Sequence, residues 1–402
     1  MTLLLIITIF LIGISSIYLS LKFFKNILSP LTAFTIPYVL AMSMYLLNFN
    51  NYFSIEPGAF FVIVGVLLMF NLTQIIAFVK VRKNNNASIS NGKVEQLLGF
   101  MKIVIVFGLL STFIQIYLLS SSTGISIVNL YSKMPGFVED NVRVSGLSQI
   151  SLLAIPASAV LFGCLLNIKS NKNQKLNYFL IFVQVISTLY ANQKGLTIIN
   201  IVWLIFIYFL HSSSKKKLIV GILSALSVVG VFVLTYGFYN LAVAGTFLSG
   251  HVNPFDRLVR YFSGGIGGLV YVIDNDIRNN GNLINLYPIR KIIDFSTPAP
   301  YEEFYNVGNM TTNISGLLGT FYLDFGFMGL IILVMLLFFI SLIVVKLFME
   351  RGSLFSLLVY SYYLTHLSLA FFGNFSVYTF NMYIIVFLIS IKIIQSIKLR
   401  RN

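Results

Sequence analysis

The residues best suited to chemistry are gathered between Tyr236 and Phe325. The acids there are Asp256, Asp274, Asp276, Asp294, Glu302, Glu303 and Asp324, accompanied by His251 and by Arg257, Arg260, Arg278, Arg290 and Lys291. Phosphate recognition needs fixed positive charge with several donors, and Arg supplies both as a planar fork. Arg257 and Arg260 are three residues apart and would share one face of a helix. With Arg143, Lys194 and Arg290 they form the candidate set for binding a diphosphate or another anionic substrate group. Arg257 and Arg260 have an alternative reading as simple contacts to lipid headgroups.

A general base beside those cations has to be a carboxylate or an imidazole; His251, Asp256, Asp294, Glu302, Glu303 and Asp324 qualify, and Asp256, His251 and Asp324 are taken as the candidate catalytic residues, any one of which could equally be structural. Asp324 has a second reading. It stands where the polar stretch gives way to a long apolar run, and an acid there would cap the N-terminus of the following helix. Asp274–Asn275–Asp276 offers paired carboxylates, but a lone D-x-D is too common to define a metal site. His211, His251 and His366 are scattered and Cys164 is the single cysteine, so a zinc site and an intrachain disulfide are not expected. No G-x-x-x-x-G-K-[ST] occurs, hence no ATP-driven step in this chain. No cofactor, metal or nucleic-acid partner is expected.

The elements that carry these residues are apolar. The 402 residues are 57% hydrophobic and only 10% charged, with a mean hydropathy of +0.89, against roughly 25% charged residues in a soluble domain. This excludes an ordinary soluble enzyme and predicts an all-α polytopic membrane protein. About eleven spans are expected, near 2–20, 29–48, 57–79, 98–119, 148–167, 177–192, 196–211, 218–236, 326–346, 354–372 and 376–396. The first lacks a basic leader and a small-residue cleavage site, so it should be retained as an anchor. Alternate connections hold most of the 27 Lys and Arg residues, with only Glu95 and Glu350 among the 12 acids. The positive-inside rule makes that face cytoplasmic, with the N-terminus outside and the C-terminus inside.

The whole chain, 1–402, reads as a single membrane domain. Its long polar segment, 237–325, cannot lie in hydrocarbon and must stand in water on the outer face. Within it, residues 258–273 are apolar but too short to span, which predicts an interfacial or re-entrant helix, with Gly264 and Gly268 allowing close helix contact. The sixth and seventh spans have sixteen residues each, about 24 Å against a hydrocarbon core of about 30 Å. Their connection, NQKG at 192–195, would then be recessed, with Lys194 either a functional cation or one that snorkels to the headgroups.

Together, the NQKG turn, the long loop, YFSGGIGGL and NVGNMTTNISGLLGTFYLDFGFMGL (306–330) resemble the Wzy-type polymerases of O-antigen and capsule oligosaccharide repeat units. The most specific part is Asn313, Tyr322, Asp324, Phe325, Gly326 and Gly329 at the outer end of a late helix. Members commonly carry Arg in the turn where this chain has Lys194, a point charge rather than a fork. The resemblance implies a GT-C-like, metal-independent, inverting glycosyltransferase in the bacterial cytoplasmic membrane. Its substrates would be a polyprenyl-diphosphate-linked oligosaccharide donor and a second lipid-linked acceptor, with a chain-length regulator and a flippase as partners. An O-antigen ligase shares this architecture. A transporter of lipid-linked glycans would instead need ionisable groups or broken helices at mid-membrane, where these spans have almost no charge.

Overall fold

The computed structural model describes residues 2–47, 54–81, 91–124, 145–167, 174–190, 194–211, single positions between 229 and 240, 253–279, 283–294, 305–308, 311–312, 315–351, 353–374 and 380–397. Thirteen α-helices are described: α1 (Thr2–Leu19), continued by a π-helical turn at Ser20–Phe24, α2 (Pro30–Leu46), α3 (Pro57–Lys80), α4 (Asn91–Thr123), α5 (Ser145–Asn167), α6 (Gln174–Tyr190), α7 (Lys194–His211), α8 (Pro254–Asp274), α9 (Tyr287–Ile293), α10 (Gly316–Phe325), α11 (Phe327–Arg351), α12 (Leu354–Leu369) and α13 (Phe380–Ile397). The described β structure is one antiparallel pair, with Tyr305 opposite Thr312 and Asn306 opposite Thr311.

Five helical stretches are long and apolar enough to cross a bilayer: Thr2–Phe24, Pro57–Lys80, Leu97–Ser122, Gly146–Asn167 and Phe327–Met349. Four shorter apolar helices, Pro30–Leu46, Gly195–His211, Leu354–Leu369 and Phe380–Ile393, coincide with further expected spans. The chain is thus an all-α membrane protein. The expected span at 218–236 lies largely outside the described residues.

Helix α6 is less apolar on average, and the distribution of its side chains explains why. Leu176, Phe179, Phe182 and Ile186 are exposed along one side, while Asn177, Gln184 and Thr188 are buried. A helix with its apolar face out and its polar face in suits lipid on one side and protein on the other, the reverse of a water-soluble helix. Gln184 accepts from Asn200 Nδ2 at 2.7 Å, and Ser158 donates to Asn200 Oδ1 at 3.2 Å, so α5, α6 and α7 are joined by amides and a hydroxyl.

The chain divides into two compact units. One comprises Met1–Ala87, Val259–Arg351 and Tyr363–Asn381; the other comprises Ser88–Leu258, Gly352–Tyr362 and Met382–Asn402. In the second unit α4 to α7 pack together, and the buried Trp203 donates to Ser361 Oγ at 2.9 Å. In the first, α1, α2 and α3 pack together and α3 lies along α11. Asn71 ties these helices by donating to Ser16 Oγ at 2.7 Å and accepting from Thr35 at 2.9 Å.

A helix covers 258–273, beginning four residues earlier at Pro254. Its residues 263–270 are all buried in protein. The close approach falls at Gly265, where an added Cβ would stand 2.3 Å from the Phe371 carbonyl oxygen, too near for any side chain. Tyr261 and Phe262 lie against Phe372 and Phe371, each pair with ring centroids 5.3 Å apart. Tyr38 donates to Ala370 O at 2.9 Å, so the turn after α12 is held from two sides.

Candidate functional site

The junction of α10 and α11 is built around Asp324. Sequence reading allowed this residue to cap a helix, but it sits in the last turn of α10 and caps nothing that follows. Helix α10 ends at Gly326, whose φ of +65° and ψ of −147° break the helix before α11 starts at Phe327. The Asp324 carboxylate instead receives a segment forty residues earlier. Oδ1 accepts from Asn279 Nδ2 at 2.8 Å and from the Ile284 N–H at 3.0 Å. Oδ2 accepts from the Asn285 N–H and from Asn285 Nδ2, both at 2.8 Å. Four donors occupy the roughly four lone-pair sites of a carboxylate, so this group is fully engaged as a latch.

Further amides surround the latch. Asn285 Nδ2 also reaches Thr320 O at 3.0 Å, and Asn374 Nδ2 donates to Asn285 Oδ1 and Thr320 Oγ1, both at 2.7 Å. Asn279, Ile284 and Asn285, α10 and the turn after α12 therefore meet in one network.

Next to the latch stands Arg278, a cation that sequence reading did not select. Its guanidinium lies 4.4 Å from the centroid of the Tyr322 ring, donates to Tyr322 O at 3.3 Å, and pairs with Asp276 Oδ1 at 2.5 Å. Tyr322 OH donates to the same Asp276 oxygen at 3.0 Å. Partial burial and that donated bond push the Tyr322 hydroxyl above its ordinary pKa. Gly326 makes the arrangement possible, because a Cβ there would fall 1.4 Å from Arg278 Nη1. Tyr322, Asp324 and Gly326 thus have separate tasks: platform, latch and clearance. The Arg278 side chain is 39% exposed, so the guanidinium is fixed while one side still faces solvent.

Asp274 ends α8 nearby. Burial, and secondarily the Glu56 carboxylate, raise its pKa against the opposing effect of a bond from the Glu56 backbone. Among the described residues no group of three or more His, Cys, Asp and Glu is placed to hold a metal ion.

The other expected site residues are distributed as follows. Asp256, Arg257 and Arg260 are exposed on the first two turns of α8, with Arg257 6.0 Å from the ring centroid of Tyr236. Arg260 precedes Asp274 by fourteen residues, about 21 Å of helix. Arg290 lies on α9 and donates to Leu283 O at 2.8 Å, which folds α9 back on the latched loop. Lys194 is the first residue of α7. Arg143, His251 and Asn313 lie outside the described residues. The structure thus draws Asp324 and Arg290 to one loop and leaves Asp256, Arg257 and Arg260 as neighbours on one helix.

The signal that could have exposed Arg278 is the aromatic-acid-glycine order of Tyr322, Asp324 and Gly326, which together leave room for a planar cation. The chain matches no protein-family model, no curated protein and no solved structure.

Proposed function

We propose that this protein is a membrane-embedded glycosyltransferase that joins polyprenyl-diphosphate-linked oligosaccharide repeat units on the outer face of a bacterial cytoplasmic membrane. In this reading about eleven helices span the bilayer, the N-terminus is outside and the C-terminus is cytoplasmic. The observation that carries it is the construction around Asp324. The residues of the Tyr–x–Asp–Phe–Gly motif hold a polar loop and an oriented cation, Arg278, at the mouth of an apolar helix.

The chemistry is a single displacement. An acceptor sugar hydroxyl attacks the donor's anomeric carbon, a new C–O bond forms, and the bond from that carbon to the diphosphate oxygen breaks. The hydroxyl proton passes to a carboxylate and the polyprenyl diphosphate departs with the electron pair, so the anomeric centre inverts. Asp324 already accepts four donors, which suits a positioning role. Asp256, exposed and in no ion pair among the described residues, is the better base. Arg257 and Arg260, on the same turns of α8 as Asp256, are suited to the donor's diphosphate; Arg278, beyond the far end of that helix, is suited to a separate anionic group such as the acceptor's diphosphate, with Arg143, Lys194 and Arg290 as further cations of the outer face. A flippase and a chain-length regulator would act before and beside it.

The test is glycan analysis of a deletion strain. Loss of the polymerase leaves single repeat units on their normal acceptor. Unattached polymer would identify a ligase instead, and repeat units trapped on the cytoplasmic side would identify a transporter.

A further inference from the structure

Residues 263–270 of α8 are buried in protein, whereas α9 carries an exposed apolar side. In this two-turn helix Ile289 is 55% exposed and Ile293 is 80% exposed, with Leu286 exposed just before it. Their spacing of three and four residues places them on one side. Arg290 borders that side, Lys291 follows it, and Tyr287 lies at its start. Exposed branched aliphatics flanked by cations and a tyrosine are the composition of a helix lying in the headgroup layer.

The position of α9 supports the same occupant. The Ile284 and Asn285 N–H groups, directly before α9, bind Asp324. That residue lies three positions before Phe327, where the 23-residue apolar helix Phe327–Met349 begins. Phe327 and Met328, at that end of α11, are exposed and face lipid if α11 spans. Helix α9 is therefore tied to the level at which α11 leaves the hydrocarbon, and its bare side continues an apolar surface already present there. We infer that α9 is a membrane-surface anchor that inserts Leu286, Ile289 and Ile293 among acyl chains and sets Arg290 and Lys291 against anionic headgroups. The inference rests on the membrane embedding of the chain and is independent of the reaction proposed above.

It is tested on the full chain with Cys164→Ser as background, carrying Ile289→Cys or Ile293→Cys labelled with an environment-sensitive fluorophore. The protein is placed in nanodiscs of phosphatidylethanolamine and phosphatidylglycerol. Lipids bearing a nitroxide near the headgroup should quench both labels severalfold more than they quench a label at Asn275→Cys, a residue exposed at the end of α8. Aqueous iodide should show the opposite order. Replacing phosphatidylglycerol by phosphatidylcholine, or introducing Lys291→Glu, should weaken lipid quenching at Ile293→Cys. Labels quenched by iodide as strongly as the control, or a disulfide between two copies through Ile293→Cys, would overturn the inference; the latter would make the face a contact between copies. Polymer formation by the labelled variants, measured separately, reports on the reaction alone.

Discussion

The end of α10 and the start of α8 are both supplied with acids and bases, and they use them in opposite ways. At the end of α10 every carboxylate oxygen of Asp324 has two donors, and Arg278 is fixed by a ring, a carbonyl and Asp276. At the start of α8, Asp256, Arg257 and Arg260 are exposed, and Asp256 and Arg260 enter no ion pair among the described residues. A polar group whose hydrogen bonds are complete within the protein organises the chain, while one left open can exchange water for substrate. Under the proposed function the first region would serve as scaffold and the second as binding surface.

The sharpest break of that contrast is at Asp324. Asp324→Ala leaves four donors without their acceptor, a loss on the order of 2–4 kcal/mol for a half-buried group. Thermal unfolding in detergent should show a large drop in Tm, with polymer falling in step with folded protein. Asp324→Asn keeps one acceptor oxygen but turns an NH2 toward N–H donors, so it should fall between Ala and wild type. If the Asn variant keeps its Tm and still makes no polymer, the latch reading is wrong and Asp324 acts in the reaction.

Arg260 should behave in the opposite manner. Arg260→Ala is expected to leave Tm and protein level unchanged while polymer falls more than about tenfold, the loss of one charge-assisted contact. Arg260→Lys should recover part of it, because the charge returns without the fork. Unchanged polymer length in the Ala variant would remove the start of α8 from the binding surface.

The smallest effect is expected at Asp274, which lies at the other end of α8. Its raised pKa means that the fold favours the protonated acid. That contribution is complete below the ordinary carboxylate range of about pH 4 and is lost as pH rises through the raised value. Asp274→Asn mimics the protonated form, so it should raise Tm slightly at neutral pH and leave it unchanged in acid. A decrease at neutral pH would show that the charge itself is used.

Apolar runs with a length near 20 residues made α1, α3, α4, α5 and α11 legible as membrane helices from hydropathy alone. The span at 177–192 was legible in the same way, but its inward polar side, with Asn177, Gln184 and Thr188, was not read from the sequence. The role of Asp324 was not legible either, because its partners are Asn279, Ile284 and Asn285, at separations of 39 to 45 residues. Local pattern places an acid before an apolar run and suggests a cap, whereas α10 carries on past Asp324 and breaks only at Gly326, whose backbone angles favour glycine. Arg278 was hidden for the same reason. Its ring platform is 44 residues away, and nothing in its own neighbourhood distinguishes it from the other cations.

The inverted polarity of α6 bears on how the protein is made. Asn177 and Gln184 would stand in hydrocarbon if this helix left the translocation machinery alone, and each amide would be without partners in a solvent that offers none. Asn177 has no partner for either amide atom among the described residues even in the folded protein. Gln184 is satisfied by Asn200 of α7, the next helix to be synthesised. Helices α6 and α7 should therefore pass into lipid as a hairpin, the second shielding the polar flank of the first, so that this part of the bundle is assembled during insertion rather than after it.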